Sequence, residues 1–222
     1  MEYTFSLSEI FYNMSREQYH TYKDCRKKLD ELCKGKKYFD VLSHSQEENT
    51  LFHSLYHKSY SSAIASVAFQ AFAVEAYINF YGAKKLGKST FNDHYERISI
   101  KDKIVIIPRI ATSRDFPKGE KIYELVKKLF TQRDKLVHHK GKSINFKECT
   151  EESFQSIMHG NLEFVFDDID ELVNTYPMFI KTLAALEDKT IDLYTEQQME
   201  LNNEFAMAVA DMMKKAFYGG TE

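Results

Sequence analysis

The sequence predicts an all-α fold, and its scarcity of turn-forming residues is the first reason. The 222 residues include only eight glycines and three prolines, whereas a β-sandwich or β-barrel needs many turns built on Gly, Pro, Asn or Asp. Apolar residues recur at helical intervals of three and four along much of the chain. Hydrophobic residues make up 43% and charged residues 28%, an ordinary globular composition that excludes a disordered tail or a fibre.

Helical segments are predicted in order over about residues 15–33, from about 46, and over 59–86, 92–97, 101–110, 120–139, 151–158, 164–186 and 190–217. Ser15 is expected to cap the first helix, and Gly87 to end the long apolar helix that should form the core. The isoleucine-rich run 104–107 alone would suit a strand, but no second strand is evident to pair with it. Pro177 should kink or divide its helix.

The long apolar helix raises the question of a membrane span. Residues 63–81 are long enough to cross a bilayer, but they are interrupted by Ser66, Gln70, Glu75 and Asn79. A carboxylate near the middle costs a few kcal/mol in lipid, so a buried helix of a soluble bundle is expected. The three cysteines form no C-x-x-C pair and the N-terminal residues resemble no signal peptide, which together predict reduced thiols and a cytoplasmic location.

A small net charge of −3 hides a strong separation of charge along the chain. Residues 151–222 hold 4 Lys/Arg against 15 Asp/Glu, while residues 1–150 hold 26 against 18. One interpretation is a basic working surface for a phosphate-bearing partner, backed by acidic helices. The other is that helix faces of opposite sign attract each other. Charge alone leaves both open.

One segment, FTQRDKLVHHKGK over residues 130–142, carries the candidate chemistry. Arg133 interrupts an apolar stripe, where an unpaired guanidinium would be costly, so it needs an acidic partner, a polar cleft or a subunit boundary. Asp134 precedes His138 by four residues, a spacing at which a carboxylate can orient and charge an imidazole. Arg133 and His138 lie about 140° apart around an ideal helix, so a joint site is easier to build from two copies of the helix.

The motif RDKLVH, from Arg133 to His138, resembles the R-[polar]-x(3–5)-H signature of the HEPN superfamily. The upstream segment AFAVEAYINFYG, with Glu75 and Asn79, is similar to the second core helix of that family, which often carries a glutamate. The resemblance covers about residues 60–190. We therefore expect one HEPN-like helical domain over residues 1–222, with a core at about 46–190, an N-terminal helical extension at 1–45 and an acidic C-terminal helix at 191–222.

The resemblance implies a homodimeric endoribonuclease that needs neither metal nor cofactor, acting as a toxin or effector in bacterial defence or stress. His138 would exchange protons with the RNA 2′-hydroxyl or the leaving oxygen, and Arg133 would neutralise charge on the phosphate. Asp134 occupies the polar position of the motif, and Glu75 and Asn79 would support the site from behind. The RNA backbone would be held by Lys135, His139, Lys140 and Lys142. An antitoxin or regulatory protein is a further expected partner.

Other interpretations stay open. Arg133 could form a core salt bridge while the basic residues beyond it complement the helix dipole. Glu75 could hold Arg133 or be hydrogen-bonded elsewhere in the bundle. A non-catalytic HEPN module that binds a protein through the same helices fits the motif too. His53 and His57 have the spacing of zinc ligands, but no third ligand is apparent, so no metal site is expected.

Overall fold

A computed structural model describes residues 6–34, 46–137 and 163–187, and throughout these ranges the regular structure is α-helical. The all-α prediction is thereby confirmed for the described part of the chain. The helices, in order, are α1 (Ser8–Cys33), α2 (Gln46–Leu86), α3 (Lys88–His94), α4 (Ile100–Thr112), α5 (Lys121–Val137), α6 (Glu163–Leu172) and α7 (Thr175–Leu186). The helices predicted over 151–158 and 190–217 lie outside the described residues.

The helix α2 is the centre of the bundle, as its apolar composition predicts. It is one continuous helix of 41 residues, although the sequence suggested a separate stretch before residue 59. It packs along α1 and also contacts each of the other five helices. The side chains of Val67, Val74 and Ile78 are buried in one core with residues from all the surrounding helices. A helix that is apolar on nearly all sides is stable in water only when neighbours cover it in this way.

By length and composition alone, α2 is also the one helix in the described ranges that could cross a membrane. The core helix of a soluble protein meets the same two criteria. In the structure, 44% of its most apolar window is buried by the other helices.

The prediction for the start of α1 is wrong. The helix begins at Ser8, about two turns before Ser15. Ser15 does not cap it: the side chain is fully buried in mid-helix, and its Oγ donates a 2.8 Å hydrogen bond to the carbonyl oxygen of Ser66 in α2. A small hydroxyl can bond either its own helix terminus or the backbone of a neighbouring helix, so the capping pattern did not distinguish the two.

The helix predicted over residues 164–186 is divided into two helices, close to Pro177. The helix α6 ends at Leu172 and α7 begins at Thr175, so that Pro177 lies in the first turn of α7, where a missing N–H costs no intrahelical bond. The break between them is held by α2, since Gln70 Nε2 donates a 2.8 Å hydrogen bond to the carbonyl oxygen of Val173.

The two short segments after α2 also form helices. Gly87 ends α2 as predicted, with a φ of +86° that favours glycine, and α3 begins directly after it, about four residues before its predicted start. The run 104–107 lies within α4. The first turn of α4 is capped by Ser99, whose Oγ accepts a hydrogen bond from the backbone N–H of Asp102.

Gly82 allows α3 to approach α2 closely. A Cβ at this position would lie 2.6 Å from the Phe91 ring and 3.1 Å from Ile107 Cδ1. Phe91 is 3% exposed and packs in the core, so its ring has little room to move.

We therefore expect Gly82→Ala to lower the free energy of unfolding by about 1–3 kcal/mol, because overpacking of the Phe91 contact outweighs the better helix propensity of alanine. Urea denaturation measures the change. Gly119→Ala is the matched control, since no atom lies within 4 Å of the Cβ it would add. A Gly82→Ala protein as stable as wild type would contradict this account of the contact between α2 and α3.

Candidate functional site

Charged residues on the inner faces of three helices meet at one place in the bundle. They are Glu75 on α2, Lys103 on α4 and Arg133 on α5. With Asn79 and Asp134, which bond directly to members of this set, they form what we call the polar cluster.

Arg133 lies one turn after the buried Leu129 and interrupts the apolar stripe of α5, which continues with the partly buried Leu136. Its Nη1 donates a 3.1 Å hydrogen bond to Glu75 Oε2, while Nε and Nη2 donate to Asp134 Oδ1 at 3.0 and 2.7 Å. The guanidinium carbon also lies 5.0 Å from the centre of the Phe130 ring. Of the surroundings that the sequence left open for Arg133, the structure shows an acidic partner, Glu75, supplemented by Asp134.

These bonds hold the guanidinium in place without engaging all of its N–H donors. Three of its five N–H groups donate to the two carboxylates of Glu75 and Asp134, which leaves one N–H on each terminal nitrogen among the described contacts. The side chain keeps 24% of its surface exposed. Arg133 can thus meet an anion without first leaving its present position.

Asn79, which was expected to support the site from behind, contacts Lys103. Its Oδ1 accepts a 2.8 Å hydrogen bond from Lys103 Nζ. Lys103 is 3% exposed, and its ammonium lies 5.7 Å from the centre of the Phe91 ring. Burial lowers the pKa of Lys103, and the carboxylates of Glu75 and Glu96 partly offset that effect.

Lys103 was not among the site residues predicted from the sequence, although the same kind of signal that pointed to Arg133 was present for it. The buried face of α4 reads Ile100, Lys103, Ile104 and Ile107, which is the i, i+3, i+4, i+7 pattern of an apolar stripe. A lysine on such a stripe needs compensating groups in the core just as an arginine does.

The other motif residues are only partly described. His138, His139, Lys140 and Lys142 lie outside the described residues. Lys135 is exposed on α5, but it lines an open groove of about 570 Å³ between α5 and α6. Because residues two apart point to opposite sides of a helix, the structure does not bring Lys135 and Arg133 together.

Three acidic residues of α6 are paired with lysines of the basic half of the chain. Asp168 bonds Lys128 of α5 at 2.5 Å, Glu171 bonds Lys121 of α5 at 2.7 Å, and Asp170 bonds Lys23 of α1 at 3.1 Å. The hydrogen bond and charge of Lys121 also lower the pKa of Glu171. For α6, the charge separation therefore reflects helix faces that attract each other.

The remaining candidate ligands and thiols have simpler surroundings. His53 and His57 are exposed on α2, and within the described ranges no group of three or more His, Cys, Asp or Glu side chains could hold a metal ion. Cys25 and Cys33 are free and buried in α1, and Cys149 lies outside the described residues.

The buried position of Lys103 gives a pH dependence that can be measured. Since the pKa of Lys103 is lower in the folded chain, the unfolded chain binds more protons at this residue between the two pKa values, and the folded protein gains stability as the pH rises through that interval. We expect urea denaturation between about pH 7 and about pH 10 to show a smaller rise, or a steeper fall, for Lys103→Met than for wild type.

Lys101→Met removes the same charge from an exposed position of α4 and should retain the pH dependence of wild type. Parallel stability curves for wild type and Lys103→Met would contradict the expectation.

Comparisons of the chain with protein-family models, with curated proteins and with solved structures gave no match. The resemblance to the HEPN superfamily therefore rests on the residues quoted for it in the sequence.

Proposed function

We propose that the chain is a metal-independent endoribonuclease of the HEPN type, acting as a cytoplasmic homodimer without a cofactor. The observation that carries the proposal is the state of Arg133, which is oriented by Glu75 and Asp134 and is still partly exposed. It stands five residues before His138, in the arrangement of the R-x(4)-H motif.

The proposed reaction uses a proton donor and acceptor and a fixed positive charge. The RNA 2′-oxygen attacks the adjacent phosphorus and loses its proton, the bond from phosphorus to the 5′-oxygen breaks, and the leaving oxygen gains a proton. The products are a 2′,3′-cyclic phosphate and a 5′-hydroxyl, and no water is consumed. His138 exchanges these protons, and the two remaining N–H groups of Arg133 stabilise the charge on the phosphate oxygens.

Apolar surface beside the polar cluster supports a dimer. Phe72 lies one turn before Glu75 on α2 and is 38% exposed, while Val137 lies one turn after Arg133 on α5 and is 66% exposed. Exposed apolar side chains at these positions are available to pack against a second copy of the chain. Two copies of α5 meeting there would bring Arg133 of one copy towards His138 of the other.

The RNA backbone would be bound by basic residues at the end of α5 and just after it. Lys135, His139, Lys140 and Lys142 supply positive charge without reading sequence. In the cell the protein would act as a toxin or effector in bacterial defence or stress, controlled by an antitoxin or another regulatory protein. Lys140 stands where toxins paired with a nucleotidyltransferase antitoxin often carry a modified tyrosine, so control by that modification is not proposed.

One observation favours a second candidate, a non-catalytic HEPN module that binds a protein partner. Glu75 and Asp134 already neutralise Arg133, as in a purely structural ion-pair network. Lys121 and Lys128 of α5 are likewise paired with α6, which reduces the positive surface open to RNA.

Cleavage of end-labelled RNA in the presence of EDTA separates the two candidates. We expect wild type to cut RNA and leave cyclic-phosphate ends, and His138→Ala and Arg133→Ala to lose at least about a hundredfold in rate, because proton transfer and charge stabilisation each contribute that much. A DNA strand of the same sequence should remain intact because it lacks the attacking hydroxyl.

His57→Ala and Arg109→Ala are matched controls, since each removes an exposed side chain of the same type away from the polar cluster. Circular dichroism establishes that every variant is folded. Wild-type protein that leaves RNA intact, or a folded His138→Ala protein of unchanged rate, would overturn the proposal, and the first result would favour the binding module.

A further inference from the structure

Arg133 can serve a phosphate only if the carboxylates that hold it do not repel that phosphate or retain the arginine too strongly. Glu75 and Asp134 carry two negative charges within hydrogen-bond distance of one guanidinium. Arg133 and these two carboxylates alone sum to one negative charge, which would disfavour the approach of an anion.

Lys103 supplies the positive charge that balances this negative sum, and it lies on the core side of the site. It approaches α2 from α4, whereas Arg133 approaches from α5. Its ammonium is 2.8 Å from Asn79 Oδ1, and Asn79 lies one helical turn after Glu75 on the same side of α2. Residues at this spacing are neighbours on the helix surface, about 5–6 Å apart at Cβ. With Lys103 included, the polar cluster is electrically neutral.

The burial of Lys103 prevents it from replacing Arg133 as the phosphate ligand. At 3% exposure, with its Nζ bonded to Asn79 and facing the ring of Phe91, it cannot reach a ligand that approaches from solvent. A lysine whose only role was packing would bury its stem and extend its ammonium to water. Here the ammonium itself is buried beside an acidic residue.

We infer that Lys103 is a positioning residue for Arg133, which acts through Glu75: by compensating this carboxylate from the core side, it frees the outer N–H groups of Arg133 to bind a phosphate. The inference rests on the proposed function and adds a residue to its site that is not part of the motif. When Arg133 shares its positive charge with a bound phosphate, Glu75 remains compensated because Lys103 stays in place.

The test measures phosphate binding at Arg133 and does not depend on RNA cleavage. Protein labelled with ¹⁵N at arginine has six Nε resonances, one for each arginine of the chain, and that of Arg133 is identified by its loss in Arg133→Lys. Titration with inorganic phosphate follows this resonance and yields a Kd. We expect Lys103→Met to raise the Kd about fivefold or more.

Further variants separate charge from structure. Lys103→Gln keeps a hydrogen-bond donor for Asn79 without the charge and should weaken phosphate binding like Lys103→Met. Lys101→Met removes an exposed lysine two residues away and should leave the Kd unchanged. Glu75→Gln lacks the carboxylate that Lys103 compensates, so adding Lys103→Met to Glu75→Gln should change the Kd by less than about twofold.

The two outcomes of the titration are distinct from those of the cleavage assay. An Arg133 resonance that does not respond to phosphate in wild type, or an unchanged Kd in folded Lys103→Met and Lys103→Gln, would overturn the role of Lys103. If the Kd changes as expected while wild type cleaves no RNA, the phosphate site and the role of Lys103 stand and the ribonuclease proposal fails.

Discussion

The architecture depends on covering the central helix α2, whose middle is apolar on nearly every side but contains four polar residues. Each of these is bonded by a different neighbouring element. The Ser66 hydroxyl lies 3.4 Å from that of Ser15 in α1, which donates to the Ser66 carbonyl oxygen. Gln70 donates to Val173 at the break before α7, Glu75 accepts from Arg133 of α5, and Asn79 accepts from Lys103 of α4. Burying an unbonded polar group is costly, so these four residues fix where their neighbours must lie.

The first two of these four polar residues differ physically from the last two. Ser66 and Gln70 make neutral hydrogen bonds that are fully buried, which suits a purely structural role. Glu75 belongs to an ionic cluster that keeps 24–35% of the Arg133 and Glu75 side chains exposed. An ion pair that is open to solvent contributes only about 0–1 kcal/mol to stability. The charges of Glu75 and Arg133, at the partly exposed end of this set of polar residues, are therefore better explained by a ligand than by a gain in stability. This is the physical basis of the proposed site.

Most of the fold and part of the site could be predicted from the sequence. The features that could be predicted depend on residues close together in the sequence, whereas the others depend on contacts between distant residues. The helices α2, α4 and α5 follow from apolar periodicity and from glycine positions, which are local signals. The need of Arg133 for an acidic partner was also local, because a guanidinium interrupted the stripe. Asn79 bonds Lys103, and Ser15 bonds α2 instead of capping α1. Both bonds join parts of the chain that are distant in the sequence, so no spacing rule specifies them.

The pairing of α6 limits where an RNA strand could bind. Asp168 and Glu171 are bonded to Lys128 and Lys121 on one side of α5, so these two lysines contribute little net positive charge to a phosphate backbone. Arg133 faces a different side of α5, towards α2 and α4, where Lys103 balances Glu75 from within the core. The donors available to a phosphate would thus be the outer N–H groups of Arg133 and the basic residues that follow Val137. His138 follows Arg133 by five residues, about 140° away around an ideal helix, so in the proposed dimer Arg133 of one copy would act beside His138 of the other.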